Sequence, residues 1–313
     1  QETLDEQIAR VRADVRGAKD DFAGHGLARP RFLAYPFSAE KLPTNDPRVP
    51  PAVMAVMRGE YVSTMSNDEP DRYVSARDVR NRTLGRMEVF SFTTATGLLD
   101  RLQRARPLPP DVADVLADGS QWVDTSGRRL AGAERDPAGG AAPVSPLASA
   151  MRLEAGSMTV TPAGGWAGAV FAPGRTEDWS GYTVASAVNG LGPAGSGATA
   201  TLAALYGSDA PVELSVSAGY SRLTIGDQVA AEGRVTDRAE HHLSLSLGRG
   251  GVSAAVDGEV IGAAEVPDDA TGGVGLGASG GDGPSQVTFS SVSVAPTPAA
   301  VPAQPPPPAP GGL

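Results

Sequence analysis

The stretch Ala28-Arg29-Pro30-Arg31-Phe32-Leu33-Ala34-Tyr35-Pro36-Phe37-Ser38 sets an Arg ahead of a short apolar run and closes that run on an aromatic-proline turn. Around it, reactive side chains are few. There is no cysteine, so thiol nucleophiles, disulfides and Cys-ligated metals are excluded. The three histidines are His25, His241 and His242. His25 sits between two glycines in a loop and reads as structural or solvated. His241 and His242 are adjacent on an expected strand, so they point to opposite faces and cannot chelate one metal together. Asp68, Glu69, Asp71 and Asp78 fall in a polar loop at 66–82 and read as a charged surface rather than as acid/base groups. Arg86 begins an expected buried strand.

The net charge of −10 and a pI near 4.8 argue against nucleic-acid binding. Only Lys19 and Lys41 are lysines; the other cations are arginines. No apolar run reaches the roughly 18 residues of a membrane span. No signal peptide is visible. The first residue, Gln1, lies inside an expected helix, so the expectation is that the natural start lies upstream.

The elements that must position these residues fall into two patterns. Leu4, Ile8, Val11 and Val15 recur at helical spacing and predict an amphipathic helix over 2–20. A short buried strand is expected at 32–35 and a helix carrying Val53, Val56 and Met57, ended by Gly59. A strand at 61–65, a third strand at 86–92 and a helix at 96–104 complete a parallel α/β pattern. Pro, Ala and Gly then mark 106–149 as linker, with a short helix at 110–117. From about 151 to 294 the period switches to two, with strands at roughly ten-residue spacing, which predicts an all-β sandwich or jelly roll. Asp257-Gly258 between two alternating runs signals a hairpin turn. The parity slip at Ser290-Ser291 signals a bulge. The tail, 296–313, is Pro/Ala-rich and is expected to be disordered or polyproline II.

Residues 1–105 resemble the C-terminal half of a NodB-homology polysaccharide deacetylase domain. The motif Arg31 to Ser38 carries the likeness, supported by Val53–Gly59 followed by Tyr61-Val62-Ser63-Thr64, and by Leu84-Gly85-Arg86-Met87-Glu88-Val89. The resemblance implies metal-assisted hydrolysis of N-acetyl groups on a glycan, with a divalent metal (zinc) activating water. It implies that Arg31 orients the general base, that Tyr35 offers a backbone N–H to the oxyanion and lines the groove, and that Pro36 fixes the turn; Arg86, at the start of its strand, is a candidate to face the groove and bind substrate. The family's metal-binding Asp pair, its His-x-x-x-His and its late histidine have no match in this sequence. A barrel of this type needs roughly twice the residues available, so a partial (β/α) barrel that is inactive as given is expected.

Residues 150–295 resemble a concanavalin A-like, laminin G-like jelly roll. The likeness rests on Glu240-His241-His242-Leu243-Ser244-Leu245, on Gly251 to Gly258, and on Thr271-Gly272-Gly273-Val274-Gly275-Leu276. Such domains bind glycans, cleave them or mediate contacts. No strand places two carboxylates on one face at the spacing of about 5–5.5 Å that retaining glycan cleavage needs; Glu177-Asp178 are adjacent and Asp268-Asp269 sit in a turn. Trp166, Trp179, Tyr182, Tyr206 and Tyr220 are the aromatics that could serve as a sugar platform. Tyr182 is in phase with the core, and Trp179, a substrate-binding candidate, also fits packing at the sandwich edge. The combined expectation is α/β plus all-β: a secreted or cell-surface polysaccharide deacetylase fragment with an appended carbohydrate-binding domain, its partner a polysaccharide. The alternative is a non-catalytic glycan-binding or adhesion protein.

Overall fold

The computed structural model describes residues 2–35, 46–66, 73–86, 89, 91–124, 130, 150–154, 156–162, 166–193, 197–280 and 286–297, the side chains of Arg77 and Arg104 excepted. It divides into two compact units, 1–108 with 172–178, and 109–171 with 179–313.

In the first unit, α1 (Leu4–Gly24) starts from a capping box in which Thr3 and Glu6 satisfy each other's backbone N–H groups. β1 (Phe32–Ala34) and β2 (Ser63–Ser66) pair in parallel, as do β2 and β3 (Thr83–Gly85), giving the order β1-β2-β3. α2 (Val49–Glu60), α3 (Ala76–Asn81) and α4 (Ala95–Arg104) alternate with or follow these strands. Sequential parallel strands joined by helices are the expected α/β pattern. Three strands make an open sheet, and no closed barrel forms among the described residues.

Several details correct the sequence reading. β1 is not buried: Phe32 is 50% exposed and only Leu33 is partly covered. The strand expected at 61–65 begins at Ser63, because Tyr61 closes α2 by donating its N–H to Met57 O. The loop at 66–82 contains α3, whose capping box pairs Ser75 with Asp78. The third strand lies at 83–85, ahead of the expected 86–92. Pro36, Asp68, Glu69 and Asp71 lie outside the described residues, as do most of the expected linker and tail.

The second unit is a sandwich of two seven-stranded antiparallel sheets. Its strands are β4 (Trp122–Asp124), β5 (Met151–Glu154), β6 (Ser157–Val160), β7 (Trp166–Phe171), β8 (Tyr182–Asn189), β9 (Thr199–Tyr206), β10 (Val212–Ser217), β11 (Tyr220–Ile225), β12 (Gln228–Arg234), β13 (Glu240–Gly248), β14 (Gly251–Val256), β15 (Glu259–Glu265), β16 (Gly273–Ser279) and β17 (Val287–Pro296). One sheet has the order β12-β11-β10-β9-β16-β7-β4 and the other β15-β14-β13-β8-β17-β6-β5. Two antiparallel sheets of alternating strands are the all-β sandwich that the period of two predicts.

Alternation builds its core. Val212, Leu214 and Val216 of β10 are buried and the residues between them are not. Leu243, Leu245 and Leu247 do the same on β13. Each such aliphatic side chain contributes roughly 1.5–3 kcal/mol on burial. Asp257 (φ 55°) and Gly258 (φ 84°) make the expected hairpin turn between β14 and β15. The expected bulge is present: the β17–β8 register shifts between Ser290 and Ser293, with Ser291 at φ 50°.

The sandwich also claims part of the expected linker. Trp122–Asp124 is an edge strand paired to β7, and the Trp122 indole is fully buried, donating to Val115 O at 2.8 Å. Residues 110–117 are not a helix. Val112 bridges Val294, Val115 N–H bonds Val292 O, and Asp114 turns the chain by accepting from Leu116 N–H.

Candidate functional site

The residues singled out around Tyr35 separate into two places. Tyr35 is buried; its N–H donates to Met65 O at 2.9 Å and its hydroxyl meets Met54 Sδ at 3.0 Å. The N–H that the resemblance assigns to an oxyanion is therefore spent on the sheet. Arg86 donates from Nη2 to Tyr35 O at 3.2 Å, so these two meet beyond the C-terminal ends of β1 and β3. Arg31 precedes β1, at its other end, and is exposed in a cleft lined by Arg16, Lys19, Asp20, Arg29 and Glu60. Asp78 serves the α3 cap, and His25 Nδ1 contacts Asp21 O at the end of α1. Among the described residues no three His, Asp or Glu side chains gather as metal ligands. The donor set implied for zinc does not fit the described residues.

In the sandwich, His241 is 1% exposed and His242 is exposed, on opposite faces as the strand period requires. His241 Nδ1 contacts Asp257 Oδ2 at 2.9 Å, and His242 N–H donates to Asp257 Oδ1 at 2.8 Å. Burial acts to raise the Asp257 carboxyl, but hydrogen bonds from the His242 N–H and His241, with the charges of His241 and Arg238, hold it below its ordinary value. The cluster clasps the hairpin turn.

Trp179 does not offer a sugar platform. It is 3% exposed and packs edge-on to Tyr182 (5.6 Å) and against Phe171 (6.1 Å), which in turn meets Trp122. Tyr182 is buried, as its phase predicts.

A candidate site lies on the outer face of the β12-to-β4 sheet, exposed along β10 to β12 and at Trp166 and covered over most of β7, β16 and β9. Strand register places side chains there in rows. One row runs Gly168, Gly277, Thr201, Ser215, Arg222, Glu232; the next runs Val170, Gly275, Ala203, Glu213, Thr224, Val229; a third runs Trp166, Ser279, Thr199, Ser217, Tyr220, Arg234. Trp166 is 45% exposed. Its indole covers the paired Gly168 and Gly277: a β-carbon on either would fall 2.3 Å from Cη2 or 2.6 Å from Cζ2. Two glycines are thus the floor on which the ring rests, with its other side in water. Beside it Thr201 and Ser215 share a hydrogen bond (3.0 Å), and Arg222 binds Glu232 (3.0 Å) and the Tyr220 hydroxyl (3.3 Å). Glu213 is partly buried, which pushes its carboxyl up. Among the described residues, the outer face of the other sheet carries Arg152, Asn189, His242, Val260 and small or acidic side chains but no Trp, Tyr or Phe.

Sequence reasoning counted Trp166, Tyr206 and Tyr220 among the possible platforms but put Trp179 forward as the substrate-binding residue, and it missed Glu213, Arg222 and the glycines. The polar phase of β10 marks Glu213 as outward-facing, but its neighbours come from other strands and need the register.

No family model matches the chain. No curated protein matches it. Among solved structures it is similar to the carbohydrate-binding module CBM66 from Bacillus subtilis (16% identity over 44% of this chain and 85% of that one, TM-score 0.36). It is similar to a β-glucanase of Bacillus licheniformis (12%, 46% and 80%, TM-score 0.35). It is also similar to a protein of unknown function with a galectin-like fold from Bacillus subtilis (14%, 47% and 85%, TM-score 0.35).

Proposed function

We propose that the second unit is a non-catalytic module that binds a polysaccharide outside the cell or at its surface, on the outer face of the β12-to-β4 sheet. The observation that carries this is Trp166, a half-exposed indole laid across Gly168 and Gly277 beside a polar row. A sugar ring has apolar C–H faces and a rim of hydroxyls. A fixed aromatic surface removes the former from water, and Ser215, Arg222 and Glu232 offer donors and acceptors to the latter. The test is a glycan array probed with the full chain and with Trp166→Ala. Binding to a glycan class that falls about tenfold or more in the variant, with unfolding unchanged, supports the reading. No binding by the natural chain, or binding indifferent to Trp166→Ala, overturns it.

A second reading concerns the first unit. The parallel order β1-β2-β3 and the Arg86–Tyr35 bond, which ties two motif segments together at one sheet end, favour a portion of a polysaccharide deacetylase domain. Its test is the coding sequence upstream of Gln1: an Asp-Asp pair after a strand and a His-x-x-x-His there support the deacetylase reading, and their absence overturns it.

A further inference from the structure

Along β9 the inward and outward alternation holds from Ala200 to Ala204 and then breaks. By parity Leu205 belongs on the solvent face and Tyr206 in the core. Instead Leu205 is buried, with a left-handed φ of 51°, and Tyr206 is partly exposed, its ring against the space over Gly275. The partner strand records the cause. Gly275 pairs with Ala203 but Gly273 pairs with Tyr206, so β9 carries one extra residue and the side chain beyond it is re-aimed.

Leu205 has a β-carbon in a conformation that favours glycine, so something must hold it there. Tyr182 does. Its buried hydroxyl accepts from Leu205 N–H at 2.9 Å and lies 3.0 Å from both Gly272 O and Gly273 O, to one of which it donates. Gly272 lets the two backbones touch: a β-carbon there would sit 2.4 Å from Leu205 C.

On the other side of β9, Glu213 pairs with Ala203 and faces the same way as Gly275. Its charge acts on the Tyr206 phenol, which burial and that charge push up. Gly275 lies two residues from Gly277, the floor of Trp166, a step of about 7 Å along the strand. One sugar chain can touch both aromatic surfaces.

We propose that the Leu205 bulge builds a second sugar subsite beside Trp166, formed by Tyr206 and Glu213 over Gly275 and positioned by the Tyr182 hydroxyl, and that it selects neutral glycans of two or more residues. This rests on the glycan-binding reading above. Glu213 accepts hydroxyl hydrogen bonds and repels a uronic-acid carboxylate. Arg222, the cation in the adjacent row, is already held by Glu232.

The experiment is an array of neutral and uronic-acid oligosaccharides of one to six residues, probed with the full chain, Tyr206→Ala, Glu213→Gln and Tyr182→Phe. For neutral glycans, lengthening from one residue to two or more raises affinity about tenfold in the natural chain. Tyr206→Ala removes that gain. Glu213→Gln narrows the preference for neutral over acidic chains. In protein labelled with fluorotyrosine, fluorine NMR resolves the six tyrosines; the Tyr206 signal, assigned through Tyr206→Phe, moves on adding a bound oligosaccharide and is displaced in Tyr182→Phe. A length dependence that survives Tyr206→Ala, or a Tyr206 signal indifferent to glycan, overturns the subsite while Trp166-dependent binding stands. No binding at all overturns the binding reading and the subsite with it.

Discussion

Gly277→Ala is the sharpest perturbation of the proposed platform. A β-carbon at 277 would lie 2.6 Å from Trp166 Cζ2, 2.8 Å from Cε2 and 3.0 Å from Nε1. Carbon atoms pack at about 3.5–4.0 Å, so the indole must move out by about 1 Å, which forfeits roughly a quarter to a half of its attraction to the sheet. Overpacking in a closed core costs about 1–3 kcal/mol. Trp166 can swing into water instead, so the stability loss falls at the lower end and the ring loses its fixed pose. Glycan affinity is expected to fall about tenfold, or about 1.4 kcal/mol. Replacing a glycine whose native backbone suits alanine also stiffens the unfolded chain and stabilises by roughly 0.4–1 kcal/mol. Gly248→Ala, whose β-carbon meets nothing within 4 Å, isolates that effect. The assay is acrylamide quenching of tryptophan fluorescence alongside binding. Trp122 and Trp179 are buried, so the quenchable signal belongs to Trp166 and rises in Gly277→Ala. Unchanged quenching together with unchanged glycan affinity would refute the stacked pose.

The buried aromatics behave differently from Trp166. Trp179→Ala is expected to cost about 3–5 kcal/mol in denaturant unfolding, against less than about 1 kcal/mol for Trp166→Ala. Trp122→Phe leaves Val115 O without its donor and costs roughly 1–3 kcal/mol in the same measurement. Asp257 is held below its ordinary carboxyl value, so it binds protons less readily folded than unfolded. Its contribution is full above its unfolded value of 3.8 and is lost as pH falls through the lower folded value. Stability measured from pH 6 down to pH 2 should drop less in Asp257→Asn than in the natural chain. Thr3→Ala opens the α1 capping box and should cost about 1 kcal/mol, read as a loss of helical signal on heating.

The sandwich was legible wherever one strand carried its own signal. Alternation on β10 and β13 named the core, Asp257-Gly258 named its turn, and the broken parity at Ser290-Ser291 named its bulge. Trp122–Asp124 was not legible, because three residues hold no period and a Pro- and Gly-rich context argued for linker. Helix expected at 110–117 failed for a related reason: the apolar spacing of Val112, Val115 and Leu116 is as compatible with an Asx turn seating them on β17 as with a helix. In the first unit the strands are equally short, so their starts slipped by up to three residues, and the third strand ends before its expected span begins.

The candidate site was hidden for a deeper reason. Trp166, Thr201, Glu213 and Arg222 come from four strands scattered over some sixty positions, and only register puts them side by side. Sequence can say that Glu213 faces out; it cannot say that the space beside it is floored by Gly275 and overhung by Tyr206. The bulge compounds this. Simple parity sends Tyr206 to the core and Leu205 to solvent, and one left-handed residue reverses both. The motif at Arg31 to Ser38 misled in the opposite way, since adjacency in sequence suggested a shared site. Along an extended strand, Arg31 and Tyr35 are separated by about 13 Å of rise, which sends one to each end of the sheet. On β-sheets, closeness in chemistry is set across the strands, so the glycine rows of β7 and β16 say more about where a ligand can lie than any contiguous motif in the chain.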